Sequence, residues 1–258
     1  MERFNEKAVR SLSIGMLGSL PLAAILAVAA VARLWGINFG LPHPNCRPDE
    51  GGIAAIAGGI YHGHLHPGVF NYPALFMTTV AAVLLVLYTI GQVARHLPIG
   101  WSLDVAATTT TYRVARYLSA AAGIASVAMI FRIGHRLFGR TTALAAAALL
   151  SLAFLHVRDS HFGVTDVPMT FMVLVAFLFI VRLSESGATK DLIASGVTSG
   201  LAMSTKYNAA LVALPAVLAV FTDSGGVRRS TGERLRRAAI YLSLMVAAFL
   251  LTSPYSVL

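Results

Sequence analysis

The chain has 258 residues, of which 57% are hydrophobic and 12% are charged, and its formal net charge is +9. A charged fraction roughly half that of an ordinary soluble domain excludes a water-soluble globule. No basic run with interleaved aromatic residues stands free of apolar sequence, so nucleic acid is a poor partner and membrane topology explains the charge better. One cysteine, Cys46, excludes an internal disulfide framework and a zinc site built on cysteines.

The first apolar segment, residues 12–34, follows a short basic flank and is too long for the core of a secretory signal. We therefore expect a retained membrane anchor. A polar stretch with several prolines and histidines follows and contains Arg47-Pro48-Asp49-Glu50. It begins a predicted first outer loop, residues 35–111, within a single transmembrane module that spans residues 1–258.

Apolar segments continue along the rest of the chain at 112–133, 141–157, 167–183, 190–221 and 238–255. The block 190–221 is too long for one crossing, and Lys206 in its middle predicts a tight hairpin of two helices. With the first anchor, this pattern predicts an all-α polytopic membrane protein of about seven transmembrane helices.

The segment 73–94 is apolar enough to cross the membrane, but the positive charges favour a different arrangement. If 73–94 does not cross and the N-terminus is inside, most Lys and Arg residues fall on the cytoplasmic side, including a basic loop at 222–237. An N-terminus outside with 73–94 crossing satisfies the charges almost as well. Both arrangements remain open from the sequence.

Placing an ionised side chain near membrane depth costs free energy, so acids and bases on the short outer face indicate a functional role. On the preferred topology these residues share one face: Asp49, Glu50, Arg113, Arg116, Arg158, Asp159, His161, Asp166 and Lys206. Separated carboxylates can bind a divalent metal or deprotonate a hydroxyl, and Arg or Lys can hold phosphate oxygens. Because the walls are apolar, the combination suits transfer from a lipid phosphate.

Each residue also has a purely structural interpretation. Asp49 and Glu50 after Pro48 could start a helix over 49–62, and Asp166 could cap one. Arg113 and Arg116 could be interfacial anchors. The His-rich loop is more typical of a solvated segment than of a metal site.

Five motifs occur in order and together resemble a known family. They are Arg47-Pro48-Asp49-Glu50, Asn71-Tyr72-Pro73-Ala74-Leu75, the stretch from Arg158 to Pro168, Ser204-Thr205-Lys206-Tyr207, and Ser253-Pro254-Tyr255. The chain resembles the polyprenyl-phosphate-dependent glycosyltransferases of the GT-C fold. Within these it is similar to family 39, which includes protein O-mannosyltransferases and lipid A aminoarabinose transferases.

The resemblance implies roles for particular residues. Catalytic roles would fall to Asp49, Glu50 and Asp166, with Asp49 as the general base or acceptor-orienting carboxylate. The donor phosphate would be bound by Arg113, or less plausibly Arg116, together with Arg158 and Lys206. Substrate binding would involve His161, Tyr72, His66 and Tyr207. Interfacial helices would lie in the first outer loop, so that 73–94 need not cross.

The resemblance further implies an inverting glycosyltransferase that moves a sugar from a polyprenyl-phosphate donor to an acceptor hydroxyl or amine. We expect a bacterial inner-membrane protein with its active site on the outer face. A divalent metal is possible but unsupported, because Asp166 stands in Thr-Asp-Val and lacks a paired acid. No metal ligands are therefore assigned.

Family members usually continue beyond the point where this chain stops. We therefore expect a fragment, a minimal enzyme, or a chain whose missing part is supplied by a second one. A non-catalytic assembly subunit and a lipid or solute transporter remain as alternatives. A transporter would favour two symmetric halves with broken helices, a pattern that is not visible here.

Overall fold

The architecture, a computed structural model, is described for residues 20–41, 43, 47–66, 68, 70–94, 108–222 and 228–256. Every regular element in these ranges is a helix, which confirms the predicted all-α class. The start of the expected anchor at 12–34 lies outside the described residues, as does Cys46.

The first six helices are α1 (Leu20–Leu34), α2 (Pro48–Tyr61), α3 (Leu75–Ala94), α4 (Thr108–Phe138), α5 (Arg140–Leu152) and α6 (Phe154–Ser160). The remaining ones are α7 (Asp166–Ser186), α8 (Thr189–Thr205), α9 (Ala213–Phe221) and α10 (Thr231–Thr252). Short 3-10 helices cover Tyr207–Val212 and Pro254–Ser256.

Within the described residues, four helices are long and apolar enough to cross a bilayer, namely α3, α4, α7 and α10. A fifth span results if α5 and α6 are counted together. This is fewer than the expected seven, because α1, α8 and α9 are short as described and α8 is rich in serine and glycine. Length and composition place α3 among the candidates, and the expectation that 73–94 need not cross remains a prediction.

The segment 141–157, expected as one straight crossing, is broken in the structure. Helix α5 ends at Leu152, Ala153 has an extended conformation, and α6 continues at an angle of 57°. The apolar composition of this segment conceals the break, because no proline or glycine marks it.

The block 190–221 folds back at Lys206, as the sequence predicts. Lys206 is extended with φ −157° and ψ 131°, so it ends α8 and turns the chain into the following 3-10 helix. Helix α8 packs closely on α10 at Gly200, where an added Cβ would collide with the backbone carbonyl of Met245.

The basic loop expected over 222–237 is shorter than predicted. Helix α10 begins at Thr231, and the Ser230 hydroxyl accepts a hydrogen bond from the Glu233 backbone N–H at 3.3 Å. A Ser followed three residues later by Glu is a capping pair that starts a helix. Arg234, Arg236 and Arg237 therefore lie on the first turns of α10, whereas Arg228 and Arg229 precede the helix.

The bundle has two ends with different chemistry. At the end that we call the basic end, Arg136 donates to Glu185 at 2.6 Å, and Arg237 donates to the Gly187 carbonyl at 2.8 Å. Basic residues near the end of α4, the end of α7 and the start of α10, among them Arg136, Arg182 and Arg237, therefore meet at one end. At the opposite end, which we call the site end, the starts of α3, α4 and α7 meet the ends of α8 and α10.

Candidate active site

Helix α2 separates the two neighbouring acids of the first loop. It begins at Pro48, which suits the first helical position because proline has no N–H to leave unpaired. Successive helical residues point in different directions, so Asp49 is exposed whereas Glu50 is buried. The two carboxylates therefore cannot do the same work.

Glu50 is held in a buried ion pair with Arg116. The Arg116 guanidinium donates to both Glu50 carboxylate oxygens at 2.7 Å, and each side chain is 1% exposed. Glu50 also accepts the Gly163 backbone N–H at 2.7 Å. Arg116 in turn donates to the carbonyls of Ile37 and Phe39. This network joins α2, α4, the turn that follows α1 and the loop before α7.

These contacts favour a structural role for Glu50 and Arg116 instead of the catalytic and phosphate-binding roles expected for them. An arginine carries five N–H groups. The Arg116 guanidinium already makes four hydrogen bonds, two to the Glu50 carboxylate and two to backbone carbonyls. Separating the pair would leave a buried charge without a partner, which is strongly destabilising, so the two segments stay together in the folded chain.

Lys206 and Asp166 meet at the site end, as the sequence argument requires. The Lys206 ammonium donates to an Asp166 carboxylate oxygen at 2.7 Å, with side-chain exposures of 26% and 39%. Lys206 ends α8 and Asp166 lies in the first turn of α7, where the helix dipole favours a negative charge. The pair is partly open to its surroundings, so a ligand can approach both partners.

Tyr72 connects this pair to Asp49. The Lys206 nitrogen lies 5.7 Å from the centre of the Tyr72 ring, which is a cation–π distance. Burial raises the pKa of the Tyr72 hydroxyl, and so do the charges of Asp49 and Asp166 and a hydrogen bond to the Asp49 side chain, whereas Lys206 lowers it. Four side chains distant in sequence therefore share one site.

The loop that carries Tyr72 is anchored by two other motifs. The Ala74 backbone N–H donates to the buried Ser253 hydroxyl at 3.0 Å, and the Tyr207 hydroxyl donates to the Phe70 carbonyl at 3.1 Å. The rings of His66 and Tyr255 are in edge contact, with centroids 5.3 Å apart. His66 and Tyr207, expected to bind substrate, thus contribute to the position of this loop.

A second charged group lies near the start of α2. Asp159 pairs with Arg158 at 2.9 Å and with Arg47 at 3.5 Å. Arg47 precedes Asp49 by two residues, and no role is assigned to it from the sequence. Its position in the motif Arg47-Pro48-Asp49-Glu50 is the sequence feature that could have identified it.

His161 and Arg113 are not joined to the four-residue site by any contact within the described ranges. The His161 ring nitrogens lie 2.8 Å from the Val157 carbonyl oxygen and 2.9 Å from the Trp35 carbonyl oxygen. Arg113 is exposed near the start of α4. Their expected roles in binding substrate and phosphate stay predictions.

An apolar cavity of about 290 Å³ adjoins the Lys206–Asp166 pair. Its walls come from α3, α4 and α7 and the last residue of α8: Leu75, Phe76, Thr79, Leu118, Ala121, Ala122, Ala125, Pro168, Phe171, Met172 and Thr205. Thr205 is the neighbour of Lys206, and Pro168 follows Asp166 by two residues. A ligand with an apolar tail and a charged head would fit this arrangement.

No cluster of three His, Cys, Asp or Glu side chains suited to a metal ion occurs in the part of the chain that the structure describes. The functional groups at the site are the carboxylates of Asp49 and Asp166, the phenol of Tyr72 and the ammonium group of Lys206. Such a set can accept a proton and neutralise a phosphate.

Comparison with known proteins agrees with this chemistry. No curated protein and no solved structure matches the chain. A sequence model described as dolichyl-phosphate-mannose-protein mannosyltransferase matches residues 105–257, more than half of the chain. The match includes Asp166 and Lys206 and leaves Asp49 and Tyr72 outside. The chain is an integral membrane protein that belongs to this family of glycosyltransferases, whose donor is a polyprenyl-phosphate sugar.

Proposed function

We propose that the chain transfers a sugar from a polyprenyl-phosphate donor to an acceptor hydroxyl or amine by inverting displacement. The observations that carry this proposal are the Lys206–Asp166 ion pair beside an apolar cavity, and the Tyr72 ring that lies 5.7 Å from the Lys206 nitrogen, with the Asp49 charge near enough to raise the pKa of Tyr72. This arrangement puts a carboxylate and a phosphate-binding cation close together at the place where a lipid head would lie.

The donor lipid enters from the cavity side. Its tail lies against the apolar walls between α3, α4 and α7, and its phosphate reaches Lys206, whose neighbour Thr205 lines the cavity. Asp166 holds the ammonium in place when the site is empty and accepts one of its hydrogen bonds at 2.7 Å. Lysine suits this task because its ammonium is a compact charge with rotatable donors.

The reaction then needs a base on the far side of the sugar. The acceptor oxygen or nitrogen attacks the sugar carbon C1, the bond between C1 and the phosphate oxygen breaks, and its electron pair leaves with the lipid phosphate. Asp49 takes the acceptor proton, and Lys206 neutralises the charge that develops on the phosphate. Attack opposite the leaving group inverts the configuration at C1.

Tyr72 orients the base. In this proposal its hydroxyl serves as a hydrogen-bond donor to Asp49, while its ring lies 5.7 Å from the Lys206 nitrogen, so that Tyr72 links the base to the cation. Glu50 and Arg116 fix the start of α2 from beneath and do not touch the substrates.

The site faces the outer side of a bacterial inner membrane. The basic end gathers the arginine clusters of α4, α7 and α10, and the positive-inside rule assigns such an end to the cytoplasm. The site end then opens on the opposite surface.

Reconstituted protein supplies the test. The chain is placed in lipid nanodiscs with dolichyl-phosphate mannose. Donor binding is measured in one assay. A second assay measures release of mannose from the donor, either by hydrolysis or by transfer to a peptide rich in serine and threonine. We expect Asp49→Asn to abolish release while donor binding stays unchanged. We expect Lys206→Met to weaken donor binding at least tenfold.

Lys190→Met is the matched control, because Lys190 is an exposed lysine at the basic end. It should leave both measurements at the parental level. Parental transfer by Asp49→Asn would remove this residue from the reaction. A parent chain that binds donor without ever releasing sugar, alone or with added membrane fractions, would favour a non-catalytic subunit or a transporter.

A further inference from the structure

Arg33 is fully buried in α1, with an exposed fraction of 0%. No carboxylate pairs with it among the residues that the structure describes. A buried arginine in an apolar helix is costly, so its surroundings must compensate for the charge. Among the described residues, those surroundings consist of backbone carbonyls and one histidine.

The guanidinium contacts the place where α5 breaks. It donates to the carbonyls of Ser151 at 3.0 Å and Leu150 at 3.2 Å, and to Ala29 in its own helix at 3.2 Å. Its second terminal nitrogen lies 2.9 Å from Nδ1 of His156 in α6. One side chain therefore touches three helices.

The break explains why a cation is needed there. Helix α5 ends at Leu152, so its last carbonyls lose the N–H donors of a following turn, and in the part of the chain described only the Leu150 carbonyl accepts a backbone N–H from beyond the helix, that of Ala153 at 3.4 Å. In a bilayer, water is not available to replace those donors, and the protein must supply them. The negative end of the helix dipole also favours a positive charge at this position.

Helix α6 contacts the same region of α1 a second time. The His161 ring, directly after α6, lies 2.9 Å from the carbonyl oxygen of Trp35, two residues beyond Arg33. Helix α6 also carries Arg158 and Asp159, and Asp159 pairs with Arg47 near the start of α2. The orientation of α6 therefore sets the place of a charged group near Asp49.

The fit around Arg33 is tight. A Cβ added to Gly123 of α4 would lie 2.5 Å from the Ser160 hydroxyl and 2.8 Å from Nε of Arg33. Only a glycine leaves room for the arginine and for α6 at this crossing.

We propose that Arg33 is a positioning residue that holds the bend between α5 and α6 and thereby fixes Arg158 and Asp159 beside the start of α2. The bend is a local consequence of these contacts and can be tested without any enzymatic measurement. The effect on sugar transfer rests on the proposed function.

Labelling of a buried cysteine tests the bend directly. Ser160→Cys is introduced after Cys46→Ser has removed the native thiol, and the rate of reaction with a water-soluble maleimide is measured in nanodiscs. Ser160 has an exposed fraction of 0%, so the parent should react slowly. Arg33→Met, which keeps an apolar chain of similar length, should raise the rate at least tenfold. Arg33→Lys should give an intermediate rate.

Ser195→Cys is the matched control, because Ser195 is also 0% exposed but lies in α8, away from the bend. Its labelling should stay slow in every Arg33 variant. An unchanged rate at position 160 would overturn the proposal. A parallel increase at positions 160 and 195 would also overturn it, since Arg33 would then support the whole bundle and not the bend.

A second variant approaches the same contact from α4. Gly123→Ala should release α6 and raise labelling at position 160, whereas Gly91→Ala, where an added Cβ meets nothing within 4 Å, should not. Slow labelling in Gly123→Ala would contradict the tight packing described above.

Sugar transfer provides the final readout. Arg33→Met should lower turnover at least fivefold with donor binding unchanged, because Lys206 and the cavity are untouched, and Arg33→Lys should restore part of the loss. Parental turnover in a variant whose position 160 is labelled rapidly would remove the link to the site. If the parent itself transfers no sugar, the proposed function fails, whereas the labelling result still decides the role of Arg33.

Discussion

Two buried arginines stabilise the site end by different means. Arg116 faces a carboxylate, with both Glu50 oxygens 2.7 Å from its nitrogens, whereas Arg33 faces the carbonyls at the end of a broken helix. The first contact pairs two full charges and the second pairs a charge with dipoles. The difference determines what remains when the arginine is removed.

Removing one member of the charged pair should have the largest effect. Arg116→Met would leave the Glu50 carboxylate buried without its partner, and breaking a buried ion pair in this way costs about 3–5 kcal/mol. We expect a large fall in the thermal midpoint measured in detergent micelles.

The double variant sharpens this expectation. Glu50→Leu with Arg116→Met removes both charges, so much of the lost stability should return. A double variant as unstable as Arg116→Met would show that shape, and not charge compensation, dominates at this position.

Arg33→Met should be less destabilising than Arg116→Met. It leaves carbonyl dipoles unpaired, which costs about 1–3 kcal/mol, and it also removes a charge that is expensive to bury. The same thermal measurement tests this order. A loss equal to that of Arg116→Met would mean that the two arginines are equivalent.

Tyr72→Phe should leave stability nearly unchanged and reduce turnover about tenfold, because the hydrogen bond to Asp49 is lost while the ring under Lys206 remains. Donor binding should be retained. The raised pKa of Tyr72 means that its hydroxyl keeps the proton to a higher pH than the ordinary value of 10.0.

The sign of that shift gives a pH dependence. The hydrogen bond to Asp49 should be complete below pH 10 and lost only as the pH rises through the raised pKa. In a pH profile of turnover, the parent and Tyr72→Phe should therefore differ by a constant factor at neutral pH. A ratio that falls to one below pH 9 would contradict this role for the hydroxyl.

The smallest effect is expected at the basic end. Arg136 and Glu185 are 45% and 39% exposed in their ion pair, and such surface pairs contribute about 0–1 kcal/mol. Arg136→Gln should leave the thermal midpoint and turnover close to those of the parent. A loss comparable to that of Arg33→Met would show that the two ends of the bundle are coupled.

Several features of the fold follow from local patterns in the sequence. Long apolar segments predict membrane helices, and Lys206 inside one of them predicts the hairpin, because a charge is costly at membrane depth. The break at Ala153 could not be predicted in this way. It depends on Arg33, which lies more than a hundred residues earlier in the chain.

The candidate site shows the same division. Motif order brought Asp49, Asp166, Lys206 and Tyr72 into consideration; Lys206 contacts Asp166 and the Tyr72 ring, and the Asp49 charge acts on the pKa of Tyr72. The sequence could not separate the parts of Asp49 and Glu50, because adjacent acids look alike until a helix turns one outward and the other toward Arg116. Arg47 was missed for a related reason, since its partner Asp159 is distant in sequence.

By itself, the sequence determined a membrane-embedded helical chain with a small set of charges between its apolar segments, because the transfer free energies of apolar and charged side chains act residue by residue. Only the tertiary structure decided which of those charges are compensated in the interior and which remain open to a ligand. Compensation depends on distances of a few ångströms between segments far apart in the chain, and no local pattern encodes them.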